Sequence, residues 1–292
     1  MTNPRRLPIL LSVMLLTVTA LAAENPKDPF TYLDNGVLRI GVDKTRGAAV
    51  GYFSLTNDPR NLLNHHDEGR FIQQSYYGDP DGSLWAKKPW CYNPVQGGSY
   101  KGEDAKTLEF RQSKTELYAK VEPLHWASAK PCPEAIMQEW ITLDGPVAKI
   151  RMRMESTGPP NNAAKHQEMP AMFVDYALPH LVFERDGKLV RHAPVDLAKN
   201  KGPEKIRYTG GWLAYVDDKN FGIGILTPGT DTAVTYRHRG NGSTGSDGSA
   251  CSYVAPIRTL KLDKGTVVDY EFYLTIGSLD EIQARFAKLP RP

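Results

Sequence analysis

The densest group of side chains capable of chemistry lies between Asn61 and Tyr77, in the segment NLLNHHDEGRFIQQSYY. Strand alternation over residues 71–77 places a glutamine on each face, although a buried amide needs a hydrogen-bond partner. We therefore predict a sheet face that lines a polar groove, and the alternative is an edge strand with ordinary hydrogen bonds. The candidate site residues in this segment are His66, Asp67, Arg70, Gln73, Gln74, Tyr76 and Tyr77.

A second candidate region is the loop segment WAKKPWCYNPVQGG, residues 85–98. Sugar C–H faces stack on aromatic rings, and amides bind sugar hydroxyls. The segment therefore predicts saccharide contacts from Trp90, Asn93 and Gln96, and we add Trp212 as a further stacking ring. The alternative is that these rings cap the core beneath a long loop.

The third region is KHQEMPA, residues 165–171, which leads into a strand. His166 and Glu168 flank one residue, so in an extended chain both side chains point the same way. A His/Glu pair on one side of a strand can transfer protons as acid and base. A solvated polar turn is the alternative interpretation.

These candidates support three functions for an extracellular carbohydrate-active protein. A glycoside hydrolase needs two carboxylates across a groove, and Glu168 with Asp67 is the pair we predict. A polysaccharide lyase would instead use Tyr76 or His66 as base and Arg70 or Gln74 to neutralise a uronate. A carbohydrate-binding envelope protein without catalysis is the third alternative.

The elements that must position these residues are almost all strands. The short alternating segments and the Gly/Pro punctuation predict an all-β fold, a large antiparallel β-sandwich. Asp144-Gly145 predicts a hairpin, and residues 279–287 predict one short C-terminal helix with Ser278 as its N-cap. We expect long loops over residues 79–106 and 240–249, the second flexible by composition. In the strand of residues 147–155, Lys149, Arg151 and Arg153 share one face, which predicts a solvated face or, alternatively, a basic groove wall for an acidic polysaccharide.

Composition limits the partners of this chain. The 292 residues carry a net charge of only +3, which argues against a dedicated nucleic-acid or anionic-membrane binder. The sequence contains no cofactor-binding motif, and no His lies at zinc-ligand spacing from a Cys. We therefore predict no cofactor, although Asp79-Pro-Asp81-Gly82 has the composition of a structural calcium loop. Cys91, Cys132 and Cys251 allow one disulfide without choosing the pair, and the oligomeric state is open.

The N-terminus predicts export. Arg5 and Arg6 precede an apolar run that ends in Ala20-Leu21-Ala22, the pattern of a secretory signal peptide cut near Ala22 or Ala23. The alternative is an N-terminal membrane anchor. We predict a signal peptide over residues 1–22, a single β-sandwich domain over residues 23–292, a secreted or periplasmic location and no membrane contact after cleavage.

Several motifs carry a resemblance to known proteins. NLLNHHDEGRFIQQSYYG, WCYNPVQGG, MQEWITLDG, HQEMPA and WLAYVDDKNFGIGILTPG together resemble a group of secreted bacterial β-sandwich proteins, largely uncharacterised and assigned to carbohydrate chemistry. The early strand–Gly–strand pattern and the C-terminal EFYLTIGS resemble galactose-mutarotase-type supersandwiches. That resemblance implies a concave polar sheet face that binds sugars, with acid–base roles for His and Glu in the epimerases. No motif matches the epimerase pattern residue by residue, so the resemblance assigns no catalytic residue.

Overall fold

Two large antiparallel sheets form the molecule, in a computed structural model that describes residues 28–158, 161–199 and 202–289. The predicted signal peptide, residues 1–22, lies outside these ranges. We number the strands along the chain. In spatial order, the first sheet contains β1 (Phe30–Asp34), β2 (Leu38–Asp43), β3 (Ala49–Leu55), β4 (Ile72–Ser75), β13 (Lys165–Asp175), β20 (Cys251–Leu260), β19 (Thr232–His238) and β16 (Glu204–Arg207), and β4 is extended by β7 (Pro94–Val95) and β10 (Leu124–His125).

The second sheet packs against the first. In spatial order it contains β15 (Lys188–His192), β14 (His180–Arg185), β17 (Trp212–Val216), β18 (Phe221–Leu226), β21 (Val267–Ser278), β12 (Val147–Glu155), β11 (Met137–Asp144), β9 (Glu116–Glu122) and β8 (Lys106–Gln112). A separate two-stranded hairpin joins β5 (Pro80–Trp85) to β6 (Lys88–Cys91). The predicted all-β sandwich is therefore confirmed.

The main hydrophobic core lies between the two sheets. The first sheet contributes Ile40, Phe53 and Ile72 to it, and the second contributes Ile150 and Phe272. Because each strand alternates its side chains, a residue that enters this core places its neighbours on the outside of the sandwich. The core thus fixes which side chains of the first sheet face away from the second sheet.

The C-terminal helix α1 (Leu279–Phe286) covers the outside of the second sheet. Ser278 caps it as predicted, since its side chain accepts from the Glu281 N–H while the Glu281 carboxylate accepts from the Ser278 N–H. Gly224 lies beneath the helix, where an added Cβ would come within 2.5 Å of Ile282. A glycine at this point lets α1 pack directly on the sheet.

The predicted turns and loops agree with the structure in part. The hairpin at Asp144-Gly145 forms between β11 and β12, with Gly145 at a φ of 50°. The loop predicted over residues 79–106 was wrong for residues 80–95, because they contain β5, β6 and β7. Residues 240–249 contain no strand, and Asn64 donates to the carbonyl oxygen of Gly248 at 2.8 Å.

The outer face of β12 is neutralised by acids on neighbouring strands. Lys149 Nζ lies 2.8 Å from Glu271, and Arg151 and Arg153 both contact Asp269. These cations have partners within the sheet, which favours the solvated face over the basic groove wall.

Candidate functional site

The side of the first sheet that faces away from the second sheet carries the candidate side chains Glu168 and His166, and we call it the open face. Its apolar part is a cluster separate from the main core, formed by Ala171 and Phe173 of β13, by Val234 and Tyr236 of β19, and by Tyr253, Ala255 and Ile257 of β20. Strand alternation adds Ser75 of β4, His166 and Glu168 of β13 and Thr259 of β20 to the same side.

Glu168 lies at the centre of the open face. Tyr253 donates its hydroxyl hydrogen to Glu168 Oε1, and the hydroxyls of Tyr77 and Ser75 also stabilise the ionised form of this carboxyl. Burial raises the pKa of Glu168 above its ordinary value, and the three hydroxyls lower it in part because they stabilise the carboxylate. The group can therefore retain a proton at a pH where an exposed glutamate is ionised.

Aromatic rings surround this carboxyl. The rings of Tyr236 and Tyr253 stack at 4.5 Å with an interplanar angle of 23°, and Phe173 lies 4.5 Å from Tyr253. Tyr236 and Phe173 are only partly buried, whereas Tyr253 is almost fully buried. The result is an aromatic surface beside a buried carboxyl, an arrangement on which a sugar ring can stack.

Tyr77 is held beside Glu168 by its own backbone. The side-chain amide of Gln167 accepts from the Tyr77 N–H at 2.7 Å and donates to the Tyr77 carbonyl at 2.9 Å. Strand β4 ends at Ser75, and beyond it the Gln167 side chain takes the place of a backbone partner for Tyr77. Gln167 thereby fixes the position of Tyr77 relative to Glu168.

A chain of aromatic rings leads away from Tyr77 onto the β5–β6 hairpin. Trp90 lies 6.3 Å from Tyr77, Trp85 lies 4.6 Å from Trp90, and Trp126 lies 6.2 Å from Trp85. Trp85 is 38% exposed. The sequence region that predicted stacking rings therefore lies next to the open face, and Trp90 is the ring that contacts Tyr77.

The loop between β3 and β4 brings Asp67 and Arg70 to the other end of the site. Arg70 Nε lies 3.2 Å from Asp67, and Arg70 Nη1 donates to the Ser249 carbonyl at 2.6 Å. Burial raises the pKa of Tyr236, and the negative charges of Glu168 and Asp67 raise it further. The charges of both predicted carboxylates therefore raise the pKa of the same tyrosine, Tyr236.

The two predicted histidines differ in their surroundings. His166 lies on the open face two residues before Glu168, exposed, with Nδ1 2.7 Å from Thr259 Oγ1. His66 is also exposed, but its Nδ1 contacts the Asp247 carbonyl oxygen at 2.7 Å in the loop region. Of the two, His166 shares a face with Glu168.

Three predicted site residues lie in the main core instead. Tyr76 is fully buried and donates to Gln74 Oε1 at 2.8 Å, and Gln96 Nε2 donates to the Gly47 carbonyl at 3.1 Å. The alternation predicted over residues 71–77 places Gln74 and Tyr76 on the core side, where the amides satisfy other buried groups. The structure therefore corrects the roles predicted for Tyr76, Gln74 and Gln96.

Trp212 is a fourth correction. It is only 3% exposed and belongs to the cluster beneath α1 on the second sheet, together with Ile282 and Phe286. The ring lies on the opposite sheet from Glu168 and packs against a helix.

Gln73 and Asn93 hold the loops around the site. Gln73 Oε1 accepts from the Gly97 N–H at 2.7 Å. Asn93 donates to the Tyr76 carbonyl at 2.8 Å and accepts from Trp90 Nε1 at 3.2 Å. Both side chains are buried, so they position the wall that carries Trp90.

Several open-face residues had no signal that sequence reasoning could use. Tyr236 and Tyr253 occur in strands that are regular enough to read as ordinary core, and Trp126 follows a strand of only two residues. The register that pairs Tyr236 with Tyr253 is a property of the folded sheet.

Across the described residues, no group of three or more His, Cys, Asp or Glu side chains is placed to hold a metal ion. Asp79 pairs with Lys165 at 3.0 Å, and Asp81 pairs with His125 at 2.7 Å. No disulfide joins Cys91, Cys132 and Cys251. In the part of the chain that the structure describes, no helix has the length and apolar character of a membrane span.

Comparison with known proteins supports the fold. No protein-family model matches the chain, and no curated protein sequence gives a significant match. A candidate aldose 1-epimerase from Escherichia coli K12 is 11% identical with a TM-score of 0.53, and the alignment covers 86% of this chain and 99% of that one. A galactose mutarotase related enzyme from Lactobacillus acidophilus is 10% identical with a TM-score of 0.53, covering 85% and 97%.

A galactose mutarotase-like protein from Lactobacillus casei ATCC 334 gives the same picture. It is 10% identical with a TM-score of 0.50, and the alignment covers 85% of this chain and 99% of that one. The chain therefore has the galactose mutarotase-like sandwich fold that the C-terminal motif predicted. At this identity the likeness concerns the fold alone.

Proposed function

We propose that this protein is a carbohydrate-active enzyme that binds a saccharide on the open face and transfers a proton at its anomeric centre through Glu168. The observation that carries the proposal is the position of Glu168, a carboxyl with a raised pKa among aromatic rings and hydroxyl donors. A protonated carboxyl beside a stacking surface is suited to protonate a sugar oxygen.

The structural neighbours support the same chemistry. Their names describe a candidate aldose 1-epimerase and galactose mutarotase-like proteins, so they point to reactions at the anomeric carbon of a sugar. Residue roles are not transferred from them, because the identities are near one residue in ten.

Two reactions fit this arrangement. In anomerisation, Glu168 would give a proton to the ring oxygen while a base removes the proton of the anomeric hydroxyl, so that the ring opens and recloses. In hydrolysis, Glu168 would protonate the glycosidic oxygen, the C–O bond would break, and Asp67 would activate the attacking water or bond to the anomeric carbon. Hydrolysis would take Asp67 as the second carboxylate, a group that contacts Arg70 at 3.2 Å.

Elimination from a uronate has weaker support. Tyr76 lies in the core, and the Arg70 guanidinium already contacts Asp67 and the Ser249 carbonyl. Binding without catalysis is the remaining alternative, and it needs only the aromatic surface. The signal peptide predicted over residues 1–22 would deliver the protein to the compartment where extracellular saccharides occur.

The test is a screen of purified protein with free aldoses and polysaccharides, read by polarimetry, new reducing ends and ultraviolet absorbance. Optical rotation that relaxes faster than the uncatalysed rate indicates anomerisation, new reducing ends alone indicate hydrolysis, and absorbance that rises with them indicates elimination. On any active substrate, Glu168→Gln is expected to lower turnover about 100-fold to 10,000-fold.

Glu109→Gln, an exposed carboxylate of the second sheet, is the control and keeps full activity. Full turnover by Glu168→Gln contradicts the catalytic role. Saccharide affinity without turnover in any channel supports the binding protein instead.

A further inference from the structure

A depression of about 370 Å³ lies beside His166, on the same face as Glu168. Its lining includes His166, Lys205, Asp231, Arg258 and Thr259. Because His166 precedes Glu168 by two residues on one side of β13, the depression continues the proposed saccharide site towards β16. It lies on the other side of Glu168 from the loop that carries Asp67 and Arg70.

Lys205 reaches across the sheet to this depression. It belongs to edge strand β16, and β19 and β20 separate that strand from β13. Its Nζ nevertheless lies 3.5 Å from His166 Nε2, and the opposite ring nitrogen of His166 lies 2.7 Å from Thr259 Oγ1. An ammonium and an imidazole therefore face each other over the open face.

Arg258 also lines the depression, but strand alternation points its side chain to the opposite side of β20 from Ile257 and Thr259. Its Nη2 donates to the Pro228 carbonyl, while its Nε is buried without a hydrogen-bond partner. Guanidinium groups taken out of water are normally paired with an acid. In residues 28–158, 161–199 and 202–289, no carboxylate oxygen comes within 4.0 Å of a nitrogen of Lys205 or Arg258, in contrast to the paired cations of β12.

Lys205, which has no acid partner in the described residues, therefore favours an anion in this depression. The acid that lines it is Asp231, which is exposed and contacts neither cation at ion-pair distance. We infer that the depression is a subsite for an anionic substituent of the saccharide, a carboxylate or a sulfate, so that the preferred ligand is an acidic saccharide. This inference rests on the proposed function, because it takes the open face to be the saccharide site.

The experiment compares matched charged and neutral ligands. One pair is an oligogalacturonate and its methyl ester, and the other is a sulfated carrageenan oligosaccharide and its desulfated form. Calorimetry at low and high salt is expected to show affinity at least about tenfold higher for the charged member of one pair. The pair that shows the preference identifies carboxylate or sulfate.

Substitution of Lys205 locates the preference. Lys205→Gln is expected to reduce the ratio of charged to neutral affinity at least about threefold, and Lys205→Glu to abolish it. Lys188→Gln, an exposed lysine of β15, is the matched control and keeps the ratio. Lys205 is exposed and makes no buried contact, so the thermal stability of each variant is expected to match that of the unchanged protein.

The outcomes separate the two proposals. Equal affinity for charged and neutral members overturns the anionic subsite, while turnover that depends on Glu168 keeps the proposed function. A charge preference that survives Lys205→Glu also overturns the subsite. Absence of binding to every saccharide in either experiment overturns both proposals.

Discussion

The proton affinity of Glu168 depends on two opposing effects. Burial raises the pKa of this carboxyl, whereas hydrogen bonds from Tyr253, Tyr77 and Ser75 lower it. Removing one of these donors weakens the effect that lowers the pKa, so the pKa of Glu168 rises. The strength of Glu168 as an acid is therefore adjustable through groups that need not touch the substrate.

Tyr253→Phe tests this balance. The variant loses the hydroxyl that donates to Glu168 but keeps the ring, so the carboxylate is less stabilised and the pKa of Glu168 rises further. The limb of the pH–rate profile that reports Glu168 is expected to move up by about one pH unit. Tyr236→Phe, which stacks on Tyr253 at 4.5 Å, is the control and leaves the limb in place. A downward shift, or equal shifts in both variants, would show that the hydroxyl does not act on Glu168.

Single residues of the site were predictable where one strand decided their direction. His166 and Glu168 share a side because they are two residues apart in an extended chain. The contact between Glu168 and Tyr253 depends on the pairing of β13 with β20, and the two residues are more than eighty positions apart in the sequence. Local patterns contain no register between distant strands, which is why Tyr253 was missed.

At the scale of elements, the β5–β6 hairpin forms one wall of the proposed site. It belongs to neither large sheet, and its rings of Trp85 and Trp90 continue the aromatic surface that begins at Tyr77. Substitutions in such an element can change ligand affinity without disturbing the hydrophobic core.

Trp85→Ala is expected to weaken oligosaccharide affinity about tenfold with little loss of stability. Trp85 is exposed at the end of β5, so its truncation leaves the main core intact. Trp140→Ala, on the outer face of the second sheet beneath Arg151, is the matched control. Titration calorimetry and thermal unfolding measure the two effects. Equal affinity losses in both variants would show that the hairpin ring has no specific role.

The cap of α1 gives a second test at this scale. Ser278→Ala removes the side chain that accepts from the Glu281 N–H, and the expected loss in the free energy of unfolding is about 1 kcal/mol. Urea unfolding measures it. Thr115→Ala, in an exposed turn of the second sheet, is expected to change stability by less than about 0.5 kcal/mol. A Ser278→Ala protein as stable as this control would mean that the capping box does not support the helix.

Elements with a strong local signal were predicted well. The predicted strand over residues 147–155 matches β12, and the helix follows its predicted capping residue Ser278. Strand β13 starts seven residues before its predicted start at Met172, because KHQEMP reads locally as a polar turn although β20 pairs with most of it. Trp212 was wrongly assigned to the site. The strand pattern shows that its ring points to one face of a sheet, but it does not show that α1 covers that face.

At the scale of the whole molecule, the sandwich encloses a carboxyl that the proposed chemistry does not use. Glu139 of β11 is buried between the sheets, and neither of its oxygens has a hydrogen-bond partner. Burial raises its pKa to about 8, and the nearby Gln96 amide offsets a part of that effect. The folded protein therefore binds a proton here that the unfolded chain releases near its ordinary pKa of 4.5.

Glu139→Gln is expected to change how stability depends on pH. Because the folded-state pKa is raised, the unchanged protein has this contribution in full below pH 4.5 and loses it as the pH rises towards about 8. The glutamine variant has no such loss, so its stability relative to the unchanged protein rises by about 4 kcal/mol over that range. Urea unfolding at intervals from pH 4.5 to 8.5 measures this difference, and Glu109→Gln is the exposed control with a constant difference. A difference for Glu139→Gln that also stays constant with pH would mean that this carboxyl ionises as if in water, and that the sheets are not closed around it.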